Sequence, residues 1–184
     1  MKRYTQAGIT CIFGRQTEPY LSAKIGRTVF PLTLTIRRMT NKNLHFCTLF
    51  DSNYLTRGIA LYLSLTDVCP DFVLYIIAFD DECLKILTDL KLPKMVVISL
   101  AEFENEELLR IKPTRTRQEY CWTCSSSSIF YCIKKYNLDM CTYLDADMIF
   151  FDNPQVIIDE MHDASILLTE QRLPETKKIV KISG

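Results

Sequence analysis

No stretch of this sequence is apolar for long enough to cross a bilayer. The longest unbroken run, Phe72 to Phe79, falls far short of the roughly 20 residues that a spanning helix requires. Net charge is also absent: 22 Lys and Arg balance 22 Asp and Glu, so no overall field draws the chain to nucleic acid or to an anionic membrane. Met1-Lys2-Arg3 is a basic start, but only the short patch from Ala7 to Gly14 follows it, interrupted by Thr10. That patch is too weak for the apolar region of a signal peptide. The expectation is a cytoplasmic protein with no transmembrane segment and no nucleic-acid partner. Histidine is scarce, and both His45 and His162 read as structural or solvated side chains rather than metal ligands.

What the chain does have is the balance of an ordinary globular domain, with 184 residues of which 48% are hydrophobic and 24% charged, enough for one core. Its eight cysteines, at 11, 47, 69, 83, 121, 124, 132 and 141, are scattered through apolar periodic segments. Reduced and mostly buried thiols fit this distribution better than a disulfide framework. Cys121-Trp122-Thr123-Cys124 has the spacing of a redox or zinc element. However, it follows three predicted strands instead of one, and no second such pair or nearby His completes four zinc ligands.

Residues 1–43 differ from the rest. They carry eight basic side chains and a single acidic one, Glu18, and show no clean apolar period, so they read as a basic, poorly structured N-terminal extension. From Leu44 strands and helices alternate. Leu44 to Phe50 is a strand, and Asp51-Ser52-Asn53 a capping turn into a helix that must stop before Pro70. Phe72 to Phe79 is a second strand whose continuous apolar character suits burial on both faces of a parallel sheet. Asp80-Asp81 leads into a second helix, Met95 to Ile98 is a third strand, and Ala101 to Leu109 a short acidic helix. Glu119 to Tyr136 is helical, with the serine run Ser125 to Ser128 read at a helix start. Cys141 to Leu144 is a fourth strand, Gln155 to Glu160 a helix, and Ala164 to Thr169 a fifth strand. This alternation predicts an α/β three-layer sandwich with a mostly parallel central sheet over residues 44–184, its ligands beyond the carboxyl ends of the strands. Three such ends carry carboxylates: Asp51, Asp80-Asp81 and Asp145.

The most informative stretch is Tyr143-Leu144-Asp145-Ala146-Asp147, where an apolar strand runs into two carboxylates and then back to Ile149-Phe150-Phe151. In an extended segment, residues two apart project to one side at roughly 6 to 7 Å, so Asp145 and Asp147 can converge on one hard cation. Oxygen ligands favour Mn²⁺ or Mg²⁺, which could bridge these carboxylates to the phosphates of a nucleotide.

Together, Phe46-Cys47-Thr48-Leu49-Phe50-Asp51-Ser52-Asn53-Tyr54, a following helix with Ser64-Leu65, and Tyr143-Leu144-Asp145-Ala146-Asp147 before Phe151-Asp152-Asn153-Pro154 resemble the nucleotide-sugar glycosyltransferases of the GT-A fold. The likeness is to the bacterial family 8-like enzymes and covers residues 44–170. It implies that Thr48, Phe50, Asp51, Asn53 and Tyr54 surround base and ribose. It also implies that Asp145 and Asp147 bind the metal, with Asp145 and Ala146 beside the nucleotide, and that Thr123 and Ser125 lie in the segment beside the donor sugar. Arg115 and Arg117 carry the charge to neutralise a diphosphate, since a guanidinium matches phosphate oxygens two at a time. No catalytic base can be assigned.

Two other classes compete with this reading. Phosphatases of the haloacid dehalogenase type also use Asp-x-Asp at a strand end, but there the motif opens the domain, and only 37 residues follow Asp147 here. The other is a nucleotide-binding half-domain without transfer activity, because the resembling enzymes continue past this point and the sequence reads as truncated at its C-terminus. The expected function is metal-dependent transfer from a nucleotide-diphosphate sugar, with a UDP-sugar the expected donor. The acceptor would be a sugar, a lipid-linked glycan or a protein.

Overall fold

Two seven-residue strands carry the sheet. Both β2 (Leu44–Phe50) and β3 (Phe72–Ala78) are buried at six of their seven positions. Strands covered on both faces read as continuous apolar runs and need crossovers to reach a parallel neighbour, so the helices must lie on the two faces. The computed structural model describes residues 12–14 and 43–161. Its five strands run in the order β1-β5-β2-β3-β4, with β1 Ile12–Gly14, β4 Met95–Ser99 and β5 Met140–Tyr143. Strands β2 to β5 are mutually parallel, as in the register Phe46↔Thr142 between β2 and β5 and Thr48↔Ile76 between β2 and β3.

Helices α1 (Leu55–Val68) and α2 (Asp81–Leu90) cover one face. There Leu61, Leu65 and Leu87 pack on Phe46, Phe50, Leu74, Ile76 and Leu144. The other face carries α3 (Leu100–Phe103), α4 (Glu106–Ile111) and α5 (Arg117–Tyr136). On that side Phe103, Leu108, Tyr120, Cys124 and Ile129 meet Cys47, Leu49, Tyr75, Ile77 and Ile98. The chain is thus a three-layer α/β sandwich. A sixth helix, α6 (Gln155–Met161), follows β5, and no helix among the described residues is long and apolar enough to cross a membrane.

Local signals set the helix ends. Asp80 caps α2 by accepting from the Cys83 N–H at 2.7 Å, and Lys91 leaves that helix through the left-handed region at φ 47°. Thr116 and Glu119 form a reciprocal capping box at the start of α5, and Asn137 ends that helix at φ 52°, a conformation Asn tolerates well. The acidic segment expected as one helix is two, because Asn105 accepts from the Leu108 N–H at 2.9 Å and so starts α4 afresh. Residues 125–128 lie in the middle of α5 rather than at a helix start. Three of their hydroxyls turn back onto their own helix, Ser125 to the Trp122 carbonyl at 2.7 Å, Ser127 to that of Thr123 at 3.3 Å and Ser128 to that of Ser125 at 2.6 Å.

Within the segment read as an extension, Ile12–Gly14 forms a short antiparallel edge strand, in register Ile12↔Thr142, Phe13↔Cys141 and Gly14↔Met140. Three residues are too few to show a period of two. The strand expected at 164–169 and His162 lie outside the described residues.

Gly58 of α1 lies directly over the Phe50 ring, where an added Cβ would come 2.3 Å from the ring tip. Gly58→Ala should gain about 1 kcal/mol of helix propensity and lose about 1–3 kcal/mol to overpacking. Because Phe50 is buried and has little room to give, a net loss of about 1–2 kcal/mol is expected in urea unfolding.

Candidate functional site at the carboxyl ends of the strands

Parallel strands deliver all their carboxyl ends to one edge of the sheet, and here the ends of β2, β3 and β5 are acidic. Asp51 follows β2 and caps the single 3-10 turn Ser52–Tyr54, accepting from the Asn53 N–H at 3.1 Å. Asp80 follows β3. It accepts from the Ser52 N–H at 3.0 Å and the Ser52 hydroxyl at 2.9 Å, which ties the two strand ends together. Burial alone would lift the Asp80 carboxyl, but the Ser52 and Cys83 N–H groups, the Ser52 hydroxyl and the Arg117 guanidinium outweigh it and hold Asp80 below the usual range.

The first turn of α5 supplies the positive charge. Arg117 donates to the Asp51 carboxylate at 2.6 Å and lies 3.9 Å from Asp80. Its side chain is 67% exposed, so the pair is worth at most about 1 kcal/mol and is readily exchanged for a better anion. One turn further on, the half-buried Cys121 thiol is pushed up first by burial and then by the charge of Asp51, with Arg117 opposing and Asp145 adding. Cys121 therefore lies among the three charged groups.

The structure places Asp145 and Asp147 in a turn rather than an extended segment, close enough for the charge of Asp147 to act on Asp145. Strand β5 ends at Tyr143, although the Leu144 N–H still donates to the Cys47 carbonyl at 2.8 Å, and the Met148 N–H donates to the Asp145 carbonyl at 3.1 Å, closing a turn around Ala146 and Asp147. Ala146 is buried in the core, Asp145 is half-buried and Asp147 is exposed. Burial raises the Asp145 carboxyl, the neighbouring charge of Asp147 raises it further, and the nearby Tyr143 hydroxyl only partly opposes them. The turn is anchored from behind, where the Phe150 N–H donates at 3.1 Å to the hydroxyl of Ser64 on α1.

Not every candidate residue reaches this edge. Thr48 is fully buried and its hydroxyl has no partner. Phe50 is buried beneath α1, and its carbonyl accepts from the Phe79 N–H. Neither side chain is open to solvent. Asn53 is exposed and donates to Asp51, and Tyr54 is 43% exposed with the Arg57 guanidinium 4.5 Å over its ring. The Thr123 hydroxyl is turned onto the Glu119 carbonyl at 2.9 Å, as Ser125 is onto Trp122. Arg115 is exposed beside Glu119. A cleft of about 360 Å³ opens between Asp80, Ser99 and Glu104 at the carboxyl ends of β3 and β4. A larger groove of about 460 Å³ lies at the opposite end of the sheet, between His45, Asp71 and Asn137, away from Asp51, Asp80 and Asp145.

No family model matches the chain. It is similar to the uncharacterized protein YfnF of Bacillus subtilis (strain 168), at 32% identity over 125 residues, which is 67% of this chain and 41% of that protein. It is also similar to the uncharacterized protein YfnD of the same organism, at 31% identity over 129 residues, 70% of this chain and 42% of that one. The chain therefore spans about two fifths of the length of these relatives.

Sequence reading placed a carboxylate at Asp80 without a role, and its bonds to Ser52 show that it organises the turn carrying Asp51. The signal was there: an acidic residue one step past a buried strand, followed by a helix. It missed Cys121 and Tyr143 as neighbours of Asp145, since nothing local says which face of α5 meets which strand.

A carboxyl raised by folding is easier to protonate folded than unfolded. Its stabilising contribution is full below the unfolded pKa and is lost as pH rises through the folded one. Asp145→Asn should therefore make the metal-free chain more resistant to urea at pH 7, with the difference closing near pH 3. Equal resistance of the two proteins at both pH values would show that Asp145 is not under strain.

Proposed function

We propose that this chain binds a nucleoside diphosphate-sugar through a divalent cation held by Asp145 and Asp147, as the donor-binding part of a GT-A-like glycosyltransferase. The observation that carries this reading is the Asp145–Asp147 turn. It sets a half-buried carboxylate against a like charge at the carboxyl end of a parallel strand, with Asp51 and Arg117 nearby. Two carboxylates in that position repel each other until a cation lies between them, and an all-oxygen donor set suits Mn²⁺ or Mg²⁺. When bound, such an ion stabilises the negative charge that develops on the departing diphosphate.

The chain's own groups do the rest. Tyr143 lies beside Asp145 and favours the charged form of that carboxylate. Arg117 exchanges its weak pairing with Asp51 for a phosphate oxygen, which its forked guanidinium matches better. Asp51, released, accepts hydrogen bonds from a ribose hydroxyl or a base imide. Tyr54, exposed at the rim, offers an aromatic edge beside Arg57 to the base. A UDP-sugar is the donor class that fits best, and the acceptor is a hydroxyl of a sugar, lipid-linked glycan or protein.

The test is calorimetric titration of UDP into the chain with Mn²⁺, with EDTA, and with Asp145 and Asp147 both changed to Asn. Saturable binding is expected in the first case and in neither of the others. A folded chain that binds no UDP, or that binds it equally well in EDTA, would overturn the reading.

A further inference from the structure

Beneath the carboxylates, on the face covered by α5, three thiols meet. Cys47 comes from β2, Cys141 from β5 and Cys132 from α5, and their sulfur atoms all lie within 4.8 Å of one another. All three are fully buried, at 0% exposure. The pairing of Cys47 with Tyr143 across the parallel strands puts Cys47 and Cys141 on the same face of the sheet. Helix α5 brings Cys132 down onto them, and Ser128, one turn earlier and equally buried, places its hydroxyl 3.4 Å from the Cys47 sulfur.

The donor set and spacing are those of a metal site. With metal–sulfur bonds of about 2.3 Å, three sulfurs around one ion stand about 3.8 to 4.0 Å apart. That is a contraction of about 1 Å or less from the 4.8 Å upper limit seen here. Sulfur donors select soft ions and reject Mn²⁺ or Mg²⁺, so this centre is chemically separate from the carboxylate turn. The seven described cysteines are all free thiols. Among the described His, Cys, Asp and Glu residues, these are the only three that gather as a group of three or more possible ligands. The three also join segments far apart in sequence, so an ion there would act as a clip between a helix and two strands, and its binding energy would add to folding energy.

We propose that Cys47, Cys132 and Cys141 bind one thiophilic d¹⁰ cation, Zn²⁺ or Cu⁺, with the Ser128 hydroxyl beside it, as a structural centre that fixes α5 on the sheet. Three thiols give up their protons to solvent as the chain folds, and the resulting thiolates each donate an electron pair to the ion, with no change of oxidation state. The ion enters while the chain folds, because the closed site is fully buried. Since α5 also carries Arg117 and Cys121, the centre sets the position of that helix at the carboxylate edge.

The experiment refolds the full chain from guanidinium under a phosphine reductant with Co²⁺, Zn²⁺ or Cu⁺, followed by removal of loose metal. Expected with Co²⁺ is one equivalent per chain and a thiolate-to-metal charge-transfer band, which carboxylate-bound Co²⁺ cannot give. Cys121→Ser/Cys124→Ser should keep the band. Cys132→Ser should weaken binding at least about 100-fold, since even outer-shell losses cost 10- to 100-fold. Retention of Zn²⁺ or of Cu⁺ against a competing chelator identifies the ion. Should Cys132→Ser not fold, X-ray absorption on the metal-loaded native chain counts sulfur neighbours directly, with three expected at about 2.3 Å. No stoichiometric ion, a band unchanged in folded Cys132→Ser, or fewer than three sulfur neighbours would overturn the proposal.

Discussion

The site depends on the burial of β2 and β3 on both faces. Because neither strand has a wet side, both must be covered by helices, and the crossovers that deliver those helices force the strands parallel. Parallel strands then end together. Asp51, Asp80 and Asp145 stand at one edge of the sheet as a result of topology, whatever any one of them would prefer electrostatically.

That edge is uneven in its charge. Asp80 is well satisfied by two backbone N–H groups and a hydroxyl, and its role is to hold the turn that carries Asp51. Asp51 has an exposed arginine for a partner, a pairing too solvated to be strong. Asp145 is left half-buried against a second carboxylate with little to offset it. Moving along the edge from β3 to β2 to β5, the carboxylates become progressively less satisfied by the protein itself. Helix α5 serves both this edge and the core, with Arg117 and Cys121 at its amino end and Cys132 against the sheet three turns further on.

Much of this arrangement is legible in the sequence because its signals are local. Continuous apolar runs mark β2 and β3, Pro70 stops α1, and Thr116 with Glu119 opens α5. The expectation of a three-layer α/β sandwich follows from their alternation. What was not legible depends on contacts between distant elements or on dihedral angles. Strand β1 is visible only through its pairing with β5. The turn at Asp145 replaces the extended geometry that the residue spacing suggested. Thr48 has the composition of a ligand contact but alternates inward, and its hydroxyl is buried without a partner. The three converging cysteines lie 85 and 9 positions apart along the chain, and only the packing of α5 shows that they meet.

The central claim is that the Asp145 turn holds a divalent ion together with a nucleoside diphosphate. Diffraction from crystals of the chain grown with Mn²⁺ and UDP, recorded on either side of the manganese absorption edge, tests it most directly. The account expects one anomalous peak within bonding distance of the Asp145 and Asp147 carboxylates, with the UDP phosphates completing its coordination. Well-ordered UDP bound elsewhere, or at this edge with no manganese between it and Asp145, would contradict the account.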